Sequence, residues 1–203
     1  MEIEAYVEKY STFVFEYDDV LYPEKDYLLQ VYYLFAQFIE YAEQKNSAEI
    51  LDYMKSNFAH EGHIGIFERT AEAFGLDKKY KVNFDLLMDN VRLPLMLLLF
   101  DEMLRFLTRI VSKGKRVILL VQGNPVMQLN KIRQTEWNGL GSDLTVYFTE
   151  EFEVPGVQES YLKVLTINDL DAKETLLVGH SGLSSSEREF PEINFLAAVK
   201  LLP

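Results

Sequence analysis

Two carboxylates, Glu16 and Asp18, directly follow a short apolar segment that ends at Phe15. The residues of this segment, 12–15, are β-branched or aromatic, which favours a β-strand. A carboxylate beyond the end of a buried strand can attack an electrophile, transfer a proton or hold a hard cation such as Mg²⁺. Glu16 and Asp18 are therefore placed where a functional site could lie.

A second polar group is the tripeptide Gln122, Gly123 and Asn124, which follows the apolar segment 116–121 and precedes a predicted helix. Backbone N–H groups at a helix N-terminus can bind an anion, and the Gln122 amide can donate and accept hydrogen bonds. These three residues are the candidate ligand-binding residues.

A third group, Gly179 and His180, ends the apolar segment 175–179. In parallel sheets, ligands bind beyond the carboxyl ends of the strands. We therefore expect these polar residues to share one site with Glu16. His60 and His63 are spaced as a metal-binding pair on a helix could be, but no third ligand is near in sequence, so solvated or capping histidines are favoured.

The elements that position these residues are short apolar segments, each followed by turn or helix signals. Together with 12–15, they predict five strands, the others being 116–121, 144–148, 175–179 and 194–199. Strands that alternate with helices indicate βαβ units around a parallel sheet. The predicted fold class is α/β, a Rossmann-like core whose parallel β-sheet is flanked by helices.

A helical insertion is predicted after the first strand. Residues 27–43 are dense in apolar and aromatic side chains at helical spacing, which indicates a core helix or an aromatic face for self-association. Ser47 can cap a second helix, and Gly75 can end a third. A further helix is predicted from Leu86 to Ile110. The predicted domains are a core, residues 1–22 and 84–203, and a small helical cap, residues 23–83.

Composition limits the partners. The net charge of −12 disfavours nucleic acid and anionic membranes, and the chain contains no cysteine. The longest apolar run, 93–100, is far too short to span a bilayer and is predicted to be buried core. We expect a cytoplasmic protein, since no signal-peptide pattern precedes the first strand. The candidate partners are a small anionic ligand, a protein or a second copy of the chain.

Four segments resemble the motifs of the haloacid dehalogenase (HAD) superfamily, in the superfamily's order, and the phosphatase-like members with a helical cap after the first strand match best. Phe15-Glu16-Tyr17-Asp18 resembles the Asp-x-Asp opening motif, and Val121-Gln122-Gly123-Asn124 resembles the second motif. Glu153-Val154-Pro155 stands where the superfamily has Lys-Pro. Gly179-His180 through Ser184 resembles the last motif, Gly-Asp-Ser-x-x-Asp.

The resemblance implies roles for six positions, and only Asp18 keeps the expected residue type. Glu16 stands at the nucleophile, and Val121 stands where a hydroxyl would contact the phosphoryl group. Three further substitutions replace a lysine and two metal-binding acids, namely Val154, His180 and Ser184. An Mg²⁺ site is implied by the superfamily, but here only a weak site at Glu16 and Asp18 or none is expected.

Three functional hypotheses follow from this pattern. The first is a catalytically impaired pseudo-phosphatase with a binding or regulatory role. The second is an active hydrolase of small phosphorylated metabolites, in which Glu16 attacks and Asp18 acts as acid and base. The third is a structural protein that associates through the aromatic helix of the cap.

Overall fold

A computed structural model of the chain describes residues 3–153, 156–180 and 191–194. The strands of this part are β1 (Thr12–Phe15), β2 (Leu97–Leu98), β3 (Arg116–Val121), β4 (Thr135–Glu136), β5 (Leu144–Phe148), β6 (Thr175–Gly179) and β7 (Glu192–Asn194). The helices are α1 (Ile3–Lys9), α2 (Lys25–Glu43), α3 (Ser47–Glu61), α4 (Ile66–Phe74), α5 (Lys81–Asn90), α6 (Asp101–Ser112), α7 (Pro125–Arg133) and α8 (Val157–Ile167).

The central sheet has five strands in the order β5-β3-β1-β6-β7, and all of its pairings are parallel. The α/β fold class predicted from the sequence is confirmed. The bounds of β1, β3, β5 and β6 are those predicted. The fifth strand is seen at Glu192–Asn194, and the rest of its predicted range, 195–199, lies outside the described residues.

Both faces of the sheet are covered within the core. On one face, Phe106 of α6 makes edge-on ring contacts with Phe13 and Phe15, at centroid distances of 5.7 and 5.6 Å. On the other face, Val14 packs with Tyr161 of α8 in a fully buried cluster. Burial on both sides explains why the strands are continuous apolar segments rather than alternating ones.

The chain forms two compact units, which we call the core unit and the helical unit. The core unit comprises the described residues up to 23, 98–128 and those from 135 onwards, and the helical unit comprises 24–97 and 129–134. Residues 84–97, which the sequence assigns to the core, therefore belong to the helical unit. The reason is that α5 buries Phe84 against Phe35 and Phe67 of that unit, with ring centroids 5.1 and 5.8 Å apart.

The prediction for the apolar run 93–100 is wrong. Leu97 and Leu99 are buried, but Leu95 is 71% exposed and Leu98 is 62% exposed. The single helix predicted from Leu86 to Ile110 is also wrong, because α5 ends at Asn90 and α6 begins at Asp101. Pro94 cannot donate to a helical hydrogen bond, and an extended chain turns alternate side chains to opposite sides.

Helix α2 is a core helix of the helical unit. Tyr27, Tyr32 and Phe35 are fully buried, whereas Tyr33 is 44% exposed and Tyr41 is 89% exposed. Association through this helix stays a prediction. Helix α3 is capped by Asn46, whose side chain accepts from the Ala48 and Glu49 amides, rather than by Ser47 as predicted. Gly75 ends α4 in the left-handed conformation, as predicted.

None of the helices in the described residues combines the length and the apolar composition that a membrane span requires.

Candidate functional site

Glu16 lies just beyond β1, at the carboxyl edge of the sheet. Its backbone N–H donates to the Val178 carbonyl at 3.0 Å, which extends the pairing of β1 with β6 by one residue. Its half-buried carboxylate accepts the backbone N–H of His180 at 3.1 Å. A Cβ atom at Gly179 would lie 2.5 Å from Glu16 Oε1, so the absence of a side chain at Gly179 makes room for this carboxylate.

Asp18 is held by two side chains of the core unit. Tyr22 Oη donates to Asp18 Oδ1 at 2.6 Å, and Gln128 Nε2 donates to Asp18 Oδ2 at 2.6 Å. The same Gln128 nitrogen donates to the Gln122 carbonyl at 2.7 Å, so it ties the opening segment to the loop after β3. Each oxygen of the Asp18 carboxylate therefore already accepts a hydrogen bond from a side chain.

Gln128 was not predicted as a site residue. Its only local signal is its position on α7, one turn after Asn124, where a helical residue lies on the same face as its fourth neighbour. It is buried, and its Oε1 atom has no hydrogen-bond partner in the described part of the chain. In the sequence, nothing else distinguishes Gln128 from an ordinary polar residue of a helix.

Tyr17 lies between the two acids in sequence and is fully buried. Its hydroxyl is 2.5 Å from Thr135 Oγ1, and its ring packs against Tyr22 and Trp137 with centroid distances of 4.8 and 6.2 Å. Burial raises the pKa of Tyr17 strongly, the hydrogen bond with Thr135 opposes this rise, and the Asp18 charge adds to it. Tyr17 thus supports the segment that carries the acids as a neutral packing residue.

The loop after β3 binds a carboxylate of the chain itself. The Gly123 N–H donates to Glu150 Oε1 at 2.8 Å, and Thr149 Oγ1 donates to Glu150 Oε2 at 2.6 Å. Glu150 lies in a single helical turn, Thr149–Glu151, that directly follows β5. The Asn124 side chain accepts from the Val126 N–H at 2.9 Å and so caps α7. The amide predicted to bind an external anion is thus occupied by Glu150, which the sequence did not single out.

The remaining predicted site residues are placed as follows. Val121 is buried at the end of β3 and offers no polar side-chain atom. Gln122 is exposed, and its backbone carbonyl is the group that takes part in the site. His180 is exposed after β6 and contributes its backbone N–H. Val154 and Ser184 lie outside the described residues.

The described residues do not fit an Mg²⁺ ion at this site. Such an ion prefers about six oxygen ligands in an octahedron. No group of three or more histidine and acidic side chains within the described ranges is placed to hold a metal ion. Both Asp18 oxygens accept hydrogen bonds, and the Glu16 carboxylate is turned to the His180 amide. His60 donates through Nδ1 to the Ser56 carbonyl at 2.6 Å.

Solved structures of hydrolases, two of them named as haloacid dehalogenase-like or HAD, are similar to this chain. A hydrolase from Streptococcus pneumoniae TIGR4 matches with a TM-score of 0.54 at 14% identity, over 91% of this chain and 92% of that one. A putative haloacid dehalogenase-like hydrolase from Bacteroides fragilis matches with a TM-score of 0.52 at 15% identity, over 92% and 96%. A putative HAD-hydrolase from Bacillus subtilis, solved with bound magnesium, matches with a TM-score of 0.55 at 13% identity, over 85% and 79%.

The chain therefore has the haloacid dehalogenase-like fold, and the resemblance carried by the four sequence motifs is confirmed at the level of the fold. No protein-family model matches the chain, and no curated protein matches its sequence.

Proposed function

We propose that this protein uses a haloacid dehalogenase-like fold for binding or regulation and is impaired as a phosphatase. The observation that carries the proposal is that the polar groups of the candidate site bond to one another. Asp18 is held by Tyr22 and Gln128, and the Gly123 amide is held by Glu150. A site organised for phosphoryl transfer would leave these groups directed at the substrate.

The chemistry of phosphoryl transfer supports the same conclusion. The reaction needs a carboxylate in line with phosphorus and fixed donors or cations that stabilise the charge on the equatorial oxygens. The extra methylene of Glu16, relative to aspartate, moves the carboxylate by about 1 Å, and such a displacement can cost about a hundredfold in rate. Val121 supplies no hydroxyl donor, and Glu150 places a negative charge at the amide that would otherwise receive a phosphate oxygen.

A binding role would use two polar groups of the candidate site. The loop after β3 keeps a backbone amide at the start of α7, and the half-buried Glu16 lies at the same edge of the sheet. A small anionic ligand would take the place of the Glu150 carboxylate on Gly123, whereas a protein partner could bind the loop as it stands. The binding partner is therefore expected to compete with Glu150 if it is an anion.

One observation favours the alternative of an active hydrolase. Gly179 leaves the space that the longer Glu16 side chain occupies, and the His180 N–H orients its carboxylate. In that case Glu16 would attack phosphorus and Asp18 would move the leaving-group proton, as the superfamily resemblance implies.

Turnover assays distinguish the two functions. We expect no hydrolysis of p-nitrophenyl phosphate or of a panel of small phosphomonoesters with Mg²⁺, Mn²⁺ or Zn²⁺, beyond the rate of a Glu16→Ala control. Metal-dependent turnover that Glu16→Ala abolishes and Glu151→Gln preserves would overturn the proposal. Glu151 is a suitable control because it is an exposed acid beside Glu150 in the same turn.

A repair experiment tests the physical reasoning separately. The repaired chain restores the superfamily residue types at four positions, through Glu16→Asp, Val121→Thr, Val154→Lys and His180→Asp. Because Glu150 still occupies the Gly123 amide in this chain, we expect phosphatase activity to rise further when Glu150→Gln is added. Equal activity with and without Glu150→Gln would show that Glu150 does not obstruct the site.

A further inference from the structure

The helical unit contains a cavity of about 290 Å³ that the core site does not explain. Its wall includes Tyr32 of α2, the start of α4 at Gly65 and Ile66, and Phe84 of α5. This volume is at the lower end of the range in which proteins bind small molecules. All of the lining residues belong to the helical unit, so the inference that follows does not depend on the function proposed for the core unit.

The Tyr32 hydroxyl is a buried donor without an acceptor. The side chain has 0% exposure, and its oxygen has no hydrogen-bond partner in the described residues. Burial raises the pKa of Tyr32, and the Glu24 charge adds to the rise, so the hydroxyl keeps its proton. Buried polar groups in folded proteins are nearly always satisfied. An acceptor atom supplied by a ligand in the cavity would satisfy this one.

Helix α4 presents a second set of donors, the Phe67 and Glu68 amides, whereas the Ile66 N–H already donates to the His63 carbonyl at 3.2 Å. Its N-cap is Gly65, at φ = 72°, and no side chain caps its first turn, in contrast to α3, where Asn46 accepts two amides. The N-terminal amides of a nine-residue helix and its dipole favour an acceptor with negative charge. Gly65 is required here, because its positive φ is unfavourable for other residues and a Cβ would lie 3.0 Å from Arg69 Nη1.

The charges around the cavity limit the ligand to one with little negative charge. Lys81 contributes an ammonium group, but it pairs with Asp85 at 2.5 Å, and Glu68 is also part of the wall. A multiply charged anion such as phosphate would meet these two acids. The rest of the wall contains His63 but is otherwise mainly apolar, formed by Phe67, Phe84, Ile66 and Met88. The site therefore suits a singly charged head group on a compact apolar body.

We propose that the helical unit binds a small monocarboxylic acid with a compact apolar body. The carboxylate oxygens accept hydrogen bonds from the Tyr32 hydroxyl and from the first-turn amides of α4. The apolar body packs against Phe67 and Phe84. This arrangement pairs each buried donor with an acceptor and covers the apolar wall of the cavity.

The test is a ¹H–¹⁵N NMR titration of the full chain with two probes of different shape, benzoate and 3-methylbutanoate. We expect saturable shifts at the amides of Ile66, Phe67 and Glu68 with at least one acid. Benzamide, the neutral counterpart of benzoate, is expected to bind at least about tenfold more weakly, because it lacks the charge that the helix N-terminus favours. Inorganic phosphate is expected to leave these amides unchanged.

A matched pair of variants on α2 tests the role of the hydroxyl. Tyr32→Phe removes only the unpartnered oxygen, so we expect no loss in melting temperature and a dissociation constant about tenfold higher, as for the loss of one hydrogen bond to a charged group. Tyr33→Phe, at the exposed neighbouring tyrosine, should change neither quantity. The proposal is overturned if neither acid gives saturable shifts at α4, if benzamide binds as well as benzoate, or if Tyr32→Phe binds as tightly as the wild type.

Discussion

The contact between Glu150 and the Gly123 amide makes a specific prediction about anion binding. In the structure, Glu150 Oε1 accepts the Gly123 N–H at 2.8 Å, at the loop that begins α7. An external anion that uses this amide must first displace the carboxylate. Replacing Glu150 by glutamine removes the charge of the internal competitor while keeping the shape of the side chain. We therefore expect Glu150→Gln to tighten the binding of inorganic phosphate.

The size of the effect follows from the charge that is lost, because a glutamine carbonyl can still accept the Gly123 N–H. A hydrogen bond to a charged group contributes about 1.5–3 kcal/mol and a neutral one about 0.5–1.5 kcal/mol, so the internal contact should weaken by about 1–1.5 kcal/mol. A difference of about 1.4 kcal/mol corresponds to a tenfold change in an equilibrium constant. The dissociation constant for phosphate should fall by about that factor in Glu150→Gln.

Titration with phosphate at constant ionic strength, followed by ¹H–¹⁵N NMR at the Gly123 amide, measures this effect at the group concerned. Removing any acid also reduces the overall repulsion of phosphate by a chain of net charge −12. Glu151→Gln controls for this, because it removes the same charge from the next residue of the same turn. We expect Glu151→Gln to change the dissociation constant by much less than Glu150→Gln.

Two results would refute the reasoning. If wild type and Glu150→Gln bind phosphate equally, the Glu150 carboxylate does not compete for the Gly123 amide. If Glu151→Gln tightens binding as much as Glu150→Gln, the effect is one of net charge and the hydrogen bond is not its cause.

Two further predictions concern the segment that carries the acids. Burial raises the pKa of Tyr17, so above about pH 10 the unfolded chain loses this proton while the folded chain keeps it, and the free energy of unfolding falls as the pH rises. In denaturant melts from pH 8 to 11, the free energy of unfolding of Tyr17→Phe should therefore fall less steeply with pH than that of the wild type. Tyr41→Phe, at a tyrosine that is 89% exposed, should leave this slope unchanged. Gly179→Ala places a Cβ against the Glu16 carboxylate, which should cost about 1–3 kcal/mol of stability. Adding Glu16→Ala should relieve most of that cost. If the stability losses of the two single variants simply add in the double variant, the contact is contradicted.

The strands and the edge at which the polar residues lie were predictable from local sequence. Short apolar segments bounded by turn signals determine strands, and in a parallel sheet the carboxyl ends of neighbouring strands lie close together. Glu16 and His180 were predicted near each other on this basis, and the His180 N–H does donate to the Glu16 carboxylate. Hydrophobicity alone was misleading at 93–100, because an apolar run without regular helical structure exposes part of its side chains.

The partners of the site residues were not predictable in the same way. Gln128 is 110 residues from Asp18, Thr135 is 118 residues from Tyr17, and Glu150 is 27 residues from Gly123. No local pattern relates such pairs, since each depends on the path of a loop and on the rotation of α7 about its axis. In the sequence, a glutamine, a threonine or a glutamate at one of these positions cannot be distinguished from any other polar residue.

The sequence by itself determined the fold class and the order of strands and helices along the chain. It also determined which residue types replace the superfamily's catalytic groups. All of these depend on side-chain chemistry and local periodicity. The tertiary structure decided which polar groups are already satisfied and which are not. Asp18 and the Gly123 amide have partners within the core unit, whereas the Tyr32 hydroxyl has none in the described residues. Hydrogen-bond satisfaction is a property of atoms brought together by folding, so it cannot be read from local sequence patterns.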